Sequence, residues 1–133
     1  MSWDSYIDTI IGHAPNDCDK AAIIGKDGSV WTTPAGGKGI AISAAEAAAL
    51  GKAAQTGEVS ALQASGIYLE GEKYQFLRGD ATLMLGKKKD KGAISCQSSK
   101  TAVVIGHTKE GGSQGNVNKG VAVIAEYLDS LGM

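Results

Sequence analysis

The sequence predicts an α+β domain. A central antiparallel β-sheet of about 6–7 strands carries the N- and C-terminal helices packed on one face and shorter helices on the other. Three observations lead there. An apolar face at helical spacing opens the chain, a second one closes it, and the β-like runs between them are joined by connections too short for parallel crossovers. At 133 residues the chain fits a single domain, 1–133, with a core of its own. Hydrophobic residues make up 43% and aromatic ones only 5%, so the core must rest on Ala, Ile, Leu and Val.

In chain order, Trp3, Tyr6, Ile7, Ile10 and Ile11 follow the i, i+3, i+4, i+7, i+8 spacing of one helix face. Ser2 is a suitable N-cap, and Asp4 a favourable first-turn charge. Periodicity alone leaves two readings of Trp3 and Tyr6: the outer end of a core-covering stripe, or part of an aromatic surface. Residues 13–17 form a loop. Residues 21–24 and 30–33 then read as a hairpin, joined through Asp27-Gly28, a pair that tolerates positive φ. Pro34 ends it, and residues 36–39 are a glycine-rich loop. Ser43-Ala44-Ala45-Glu46 is a capping box opening an alanine-rich helix that stops near Gly57, and residues 58–63 add a short helical turn. Runs at 67–69, 73–78, 82–85, 93–96 and 101–105 read as successive antiparallel strands. The last is the most continuously apolar and is expected to be central. A glycine-rich loop at 109–115 precedes a final helix with Val117, Val121, Ile124, Leu128 and Leu131 on one face and Tyr127 at its rim.

The net charge of −1 offers no general basic field for nucleic acid. No signal-peptide pattern and no apolar run of transmembrane length occur, so a cytoplasmic location is expected. Cys18 and Cys96 fit no metal or redox spacing and read as free thiols. His13 and His107 lack ligand-spaced partners, so neither a metal site nor a cofactor is expected. Gly111-Gly112-Ser113-Gln114-Gly115 has the spacing of a hydrolase elbow, but no histidine follows it and the strands are antiparallel; a loop feeding a helix accounts for it. Gly86-Lys87-Lys88 lacks the rest of a phosphate loop, and Arg78-Gly79-Asp80 reads as a strand end and turn. No carboxylate pair stands out. These features describe a binding module, not an enzyme.

The opening Met1-Ser2-Trp3-Asp4-Ser5-Tyr6-Ile7-Asp8 resembles that of profilins, small actin-monomer-binding proteins. Ala21-Ala22-Ile23-Ile24-Gly25 with Val30-Trp31 is similar to the family's first hairpin. The stretch from Ser65 through Tyr74 to Arg78-Gly79-Asp80 resembles its central strands, Gly86-Lys87-Lys88 its lysine-rich turn, and Glu126-Tyr127-Leu128 its last helix. The likeness covers almost the whole chain in order. It implies the profilin fold and two binding surfaces. A groove for proline-rich segments falls on Trp3, Tyr6, Trp31, Tyr127, Leu128 and Met133. A surface for monomeric actin falls on Lys73, Phe76, Arg78, Lys87, Asn118 and Lys119, and binding there would regulate polymerisation and speed nucleotide exchange on actin. Phosphoinositide head groups would meet Arg78, Lys87, Lys88, Lys89, Lys91 and Lys119. The implied setting is the cytoskeleton; a monomer is expected. Tyr127 stands where some members carry histidine, and Met133 where the chain often ends in an aromatic.

The residues themselves suit the first surface. A polyproline II segment is already stiff and loses little entropy on docking. Flat rings stack on its prolines, while Trp N–H and Tyr O–H can donate to its carbonyls. Trp3, Tyr6, Trp31 and Tyr127 use most of a supply of two Trp, four Tyr and one Phe. A profilin-like scaffold domain of a trafficking or motor complex, without actin binding, is the alternative, but it has no need to gather these four rings.

Overall fold

The computed structural model describes residues 3–80 and 82–133, with Ala35 described by its main chain alone. The elements run α1 (Ser5–Gly12), β1 (Cys18–Gly25), a 3-10 turn (Ala35–Gly37), α2 (Ala44–Thr56), α3 (Ser60–Ser65), β2 (Ile67–Leu69), β3 (Glu72–Gly79), β4 (Leu83–Lys88), β5 (Gly92–Ser98), β6 (Ala102–Thr108) and α4 (Gln114–Ser130). The six strands form one sheet in the order β1-β6-β5-β4-β3-β2, every neighbour antiparallel. β6 is an inner strand between β1 and β5, one place from the edge, and residues 102–105 have no exposure.

The second strand of the expected first hairpin is reduced to fragments. Val30 bridges Ile24, and the Trp31 N–H donates to the Ile23 oxygen at 3.0 Å. The next rung is missing because the Ile23 N–H donates instead to the buried Thr32 hydroxyl at 3.1 Å. A side chain has replaced a ladder oxygen, so pairing stops there. β1 then takes a single parallel bridge to Gly39.

Helix ends follow local chemistry with two differences. The expected cap Ser2 lies outside the described residues. Asp4 occupies the N-cap position of α1 but makes no capping bond. The α2 capping box is complete: Ser43 Oγ accepts from Glu46 N–H at 3.1 Å and Glu46 Oε1 from Ser43 N–H at 3.0 Å. Gly57 closes α2 at φ 76°, where glycine alone escapes a Cβ penalty. α4 begins earlier than expected, with Ser113 as its N-cap, so Gly115 is helical and the glycine-rich loop is shorter.

Strand alternation divides the core into two layers. Ala22, Ile24 and Ile105 meet Leu50 of α2 and Leu62 of α3; Ala21, Ile23 and Val104 meet Ile7 and Ile10 of α1 and Val117, Val121, Ile124 and Leu128 of α4. Each fully buried Ile or Leu contributes about 1.5–3 kcal/mol. Cys18 and Cys96 are free, buried, and one to a layer.

Candidate functional site: an aromatic row where the chain ends meet

Packing α1 beside α4 brings four rings into a row. Trp3 and Tyr6 stack with centroids 5.2 Å apart, Trp3 lies 4.7 Å from Trp31, and Tyr6 lies 6.4 Å from Tyr127. Trp3, Tyr6 and Trp31 are half-buried with one side on the α1–α4 core layer, and Tyr127 is 50% exposed. Both sequence readings of Trp3 and Tyr6 thus hold at once: one side covers the core and the other is presented outward. Met133 packs against the same layer, and its main-chain oxygen accepts from the Ser99 and Thr101 hydroxyls at 2.9 and 2.7 Å. Leu128 departs from the expected groove. It has no exposure and supports the row from below, because on α4 it points toward β6 while Tyr127 points toward α1.

Two polar devices set the ring positions. The Asp4 carboxylate accepts from Thr33 N–H and Thr33 O–H, both at 2.6 Å, which binds the start of α1 to the segment carrying Trp31. The Thr33 hydroxyl and then its N–H hold the Asp4 carboxyl below its usual value. The second device is a chain of hydrogen bonds. Trp31 Nε1–H donates to Ser29 Oγ at 2.9 Å, and Ser29 donates to Asp27 Oδ1 through Oγ at 2.6 Å and N–H at 3.0 Å. The Trp31 N–H is therefore engaged internally, whereas the sequence reading gave indole donors to a ligand. Sequence reasoning missed Asp4–Thr33 entirely; Asp27 and Ser29, two apart around a glycine, did carry the signature of an Asx turn. Burial, and then the neighbouring Tyr127, push the Tyr6 hydroxyl up.

The remaining candidates lie on the sheet. Register puts Lys87 opposite Ala93, two places from Ser95, whose hydroxyl bonds Asn118 of α4. Lys87 therefore faces the α4 side. Gln75 pairs with Lys87, so Lys73 shares that side, and an extra residue, Leu77, brings Arg78 there as well. Phe76 is opposite Gly86 and packs on the other layer, so it does not share a face with the other sheet candidates. Lys119 stands exposed on α4. A 560 Å³ cleft at the sheet edge is lined by Lys73, Phe76, Lys87, Lys88 and Lys89 with neutral neighbours. Lys88 is paired with Glu72 at 3.2 Å, and the Lys91 carbonyl contacts His107 Nε2 at 2.7 Å.

No group of three or more His, Cys, Asp or Glu among the described residues could hold a metal ion. No helix among them is long and apolar enough to cross a membrane. Burial pushes the Cys18 thiol up to about 11 and the Cys96 thiol to about 12, which suits packing and not nucleophilic attack.

A model of the Profilin family matches residues 1–133. A profilin of Strongylocentrotus purpuratus is 52% identical, with 100% of each chain covered. Acanthamoeba castellanii profilin IB superposes with a TM-score of 0.85 at 31% identity, covering 99% of this chain and 100% of that one. LokiProfilin1, solved in complex with rabbit actin, shares the fold with a TM-score of 0.73 at 19% identity, covering 98% and 99%. The helix pair, the six-stranded antiparallel sheet and these matches lead to one conclusion: the chain belongs to the profilin family.

Proposed function

We propose that this protein holds proline-rich segments of partner proteins on its aromatic row and binds monomeric actin on the sheet and α4, thereby regulating actin polymerisation and nucleotide exchange. The row Trp31–Trp3–Tyr6–Tyr127 is the observation that carries the first half. Its centroid spacings of 6.4, 5.2 and 4.7 Å make a path of about 16 Å, the length of about five residues of polyproline II at ~3.1 Å each. Rings already stacked on one another lose little freedom when proline rings cover them. Family membership supports the actin half, as does the placement of Lys73, Arg78 and Lys87 on the α4 side of the sheet. The complex of LokiProfilin1 with actin supports it by analogy. Phosphoinositide head groups are a third proposed ligand, met by Arg78, Lys87, Lys88, Lys89, Lys91 and Lys119. Each such charge contributes about 1 kcal/mol near an anionic membrane, less for Lys88 because Glu72 already holds it.

Tryptophan fluorescence titrated with a proline-rich peptide tests the row, since both tryptophans belong to it. A signal unchanged at millimolar peptide would remove the proline claim. Lys119→Glu is expected to weaken actin binding and leave the peptide titration intact. Equal loss of both would contradict two separate surfaces.

A further inference from the structure

Beyond Trp31 the row runs into a 310 Å³ recess lined by Lys26, Asp27, Trp31, Gln55, Lys100 and Thr101. Three parts of the fold build it: the turn after β1, the end of α2, and the β5–β6 turn. Its main chain is held in place. The Lys26 N–H donates to the Thr101 oxygen at 2.8 Å, and the Lys100 N–H to Asp129 Oδ1 at 2.8 Å. Its charges are unequally used. Asp27 is turned onto Ser29, whose hydroxyl and N–H hold its carboxyl below the usual range, and Asp129 is engaged by the Lys100 main chain. The Lys26 and Lys100 ammonium groups, by contrast, form no ion pair among the described residues.

We infer that this recess receives the carboxylate of an acidic residue lying just beyond one end of the bound proline stretch, with Lys26 and Lys100 as its partners. The inference rests on the proline-binding reading and adds direction to it. Stacked rings cannot tell the two directions of a polyproline II helix apart, because the ligand offers similar ring faces either way. A pair of unpaired cations at one end of the row can. The preferred partner is a proline-rich segment flanked on one side by Asp or Glu, and the charged end lies at Trp31, away from Tyr127. Ion pairs at exposed sites are individually weak, so the two lysines together should favour such a ligand by about threefold.

The test titrates the tryptophan fluorescence of the full chain with three blocked peptides: ten prolines alone, the same with two aspartates at the N-terminus, and the same with two at the C-terminus. One acidic peptide should bind about threefold tighter than the uncharged one, with the advantage shrinking at high salt. The double variant Lys26→Gln/Lys100→Gln should bind all three alike while keeping the wild-type affinity for the uncharged peptide, which also shows that it is folded. Equal affinity of wild type for all three peptides overturns the inference and leaves the proline reading standing. An acidic preference that survives in the double variant overturns it too. If none of the three binds, the proline reading falls and this one with it.

Discussion

Gly25 lies buried at the end of β1, yet replacing it should loosen the groove. A Cβ at Gly25 would stand 2.5 Å from Asp27 Oδ1, 2.5 Å from Ser29 Oγ and 3.0 Å from Trp31 Nε1. These are the atoms of the hydrogen-bond chain that orients Trp31. They are side-chain ends, so they move aside more readily than backbone would, and the cost is the hydrogen bonds themselves. Each contributes about 0.5–1.5 kcal/mol net, nearer the lower end where water competes, so Gly25→Ala should lose about 1–2 kcal/mol of stability. Trp31, released from Ser29, must then be ordered again on binding. Ordering one side chain costs about 0.5–1.5 kcal/mol, which is an approximately two- to tenfold loss of affinity for a proline-rich peptide. Urea unfolding measures the first effect and fluorescence titration the second. Ser29→Ala removes the two hydrogen bonds of the Ser29 hydroxyl, including the one that holds Trp31 Nε1–H, without adding an atom and should weaken binding to a similar degree. If Gly25→Ala unfolds earlier but binds the peptide as tightly as wild type, the Asp27–Ser29–Trp31 chain does not orient the groove.

Trp3 touches rings on both sides, and aromatic pairs contribute about 0.5–1.5 kcal/mol each beyond burial, so Trp3→Ala should weaken peptide binding at least tenfold by calorimetry. The Asp4 carboxyl is lowered from its ordinary 3.8 by Thr33. Its contribution is therefore complete above that value and disappears as pH falls through the lower folded value. Asp4→Asn should flatten the acid limb of a fluorescence titration run from about pH 5 to pH 2. A Cβ at Gly106 would lie 2.7 Å from Val117 Cγ1 and 2.9 Å from Val121 Cγ1, so Gly106→Ala should push α4 outward and cost about 1–3 kcal/mol in urea unfolding. With thiols pushed up to about 11 and 12, Cys18 and Cys96 should resist a thiol reagent in the native protein and react together on unfolding.

The parts of the fold legible beforehand are those governed by residues a few positions apart. The α2 capping box, the glycine stop at Gly57 and the apolar face of α4 act within one or two turns. Short connections between the strands made the antiparallel sheet legible, because a chain that turns back within a few residues can pair only with its neighbour in that sense. The missing hairpin rung was not legible, since nothing in residues 30–33 says that the Thr32 hydroxyl will take the Ile23 N–H. Nor was the separation of Phe76 from Arg78. The bulge at Leu77 is set by how β3 registers on β4, and counting alternation along β3 alone cannot reveal it.

The candidate groove divides in the same way. By itself the sequence determined which rings were available, and that one lay at the start of α1 and another at the rim of α4. Only the tertiary structure decided that they form a single row. Asp4 meets Thr33 across 29 residues, and α1 meets α4 across most of the chain. Tertiary structure also decided that Leu128 is buried beneath the row, that the Trp31 N–H is already engaged, and that Lys26 and Lys100 stand together at its end. Local rules settle what each residue can do. Which residues act together depends on contacts between distant segments, and those exist only once the core has packed.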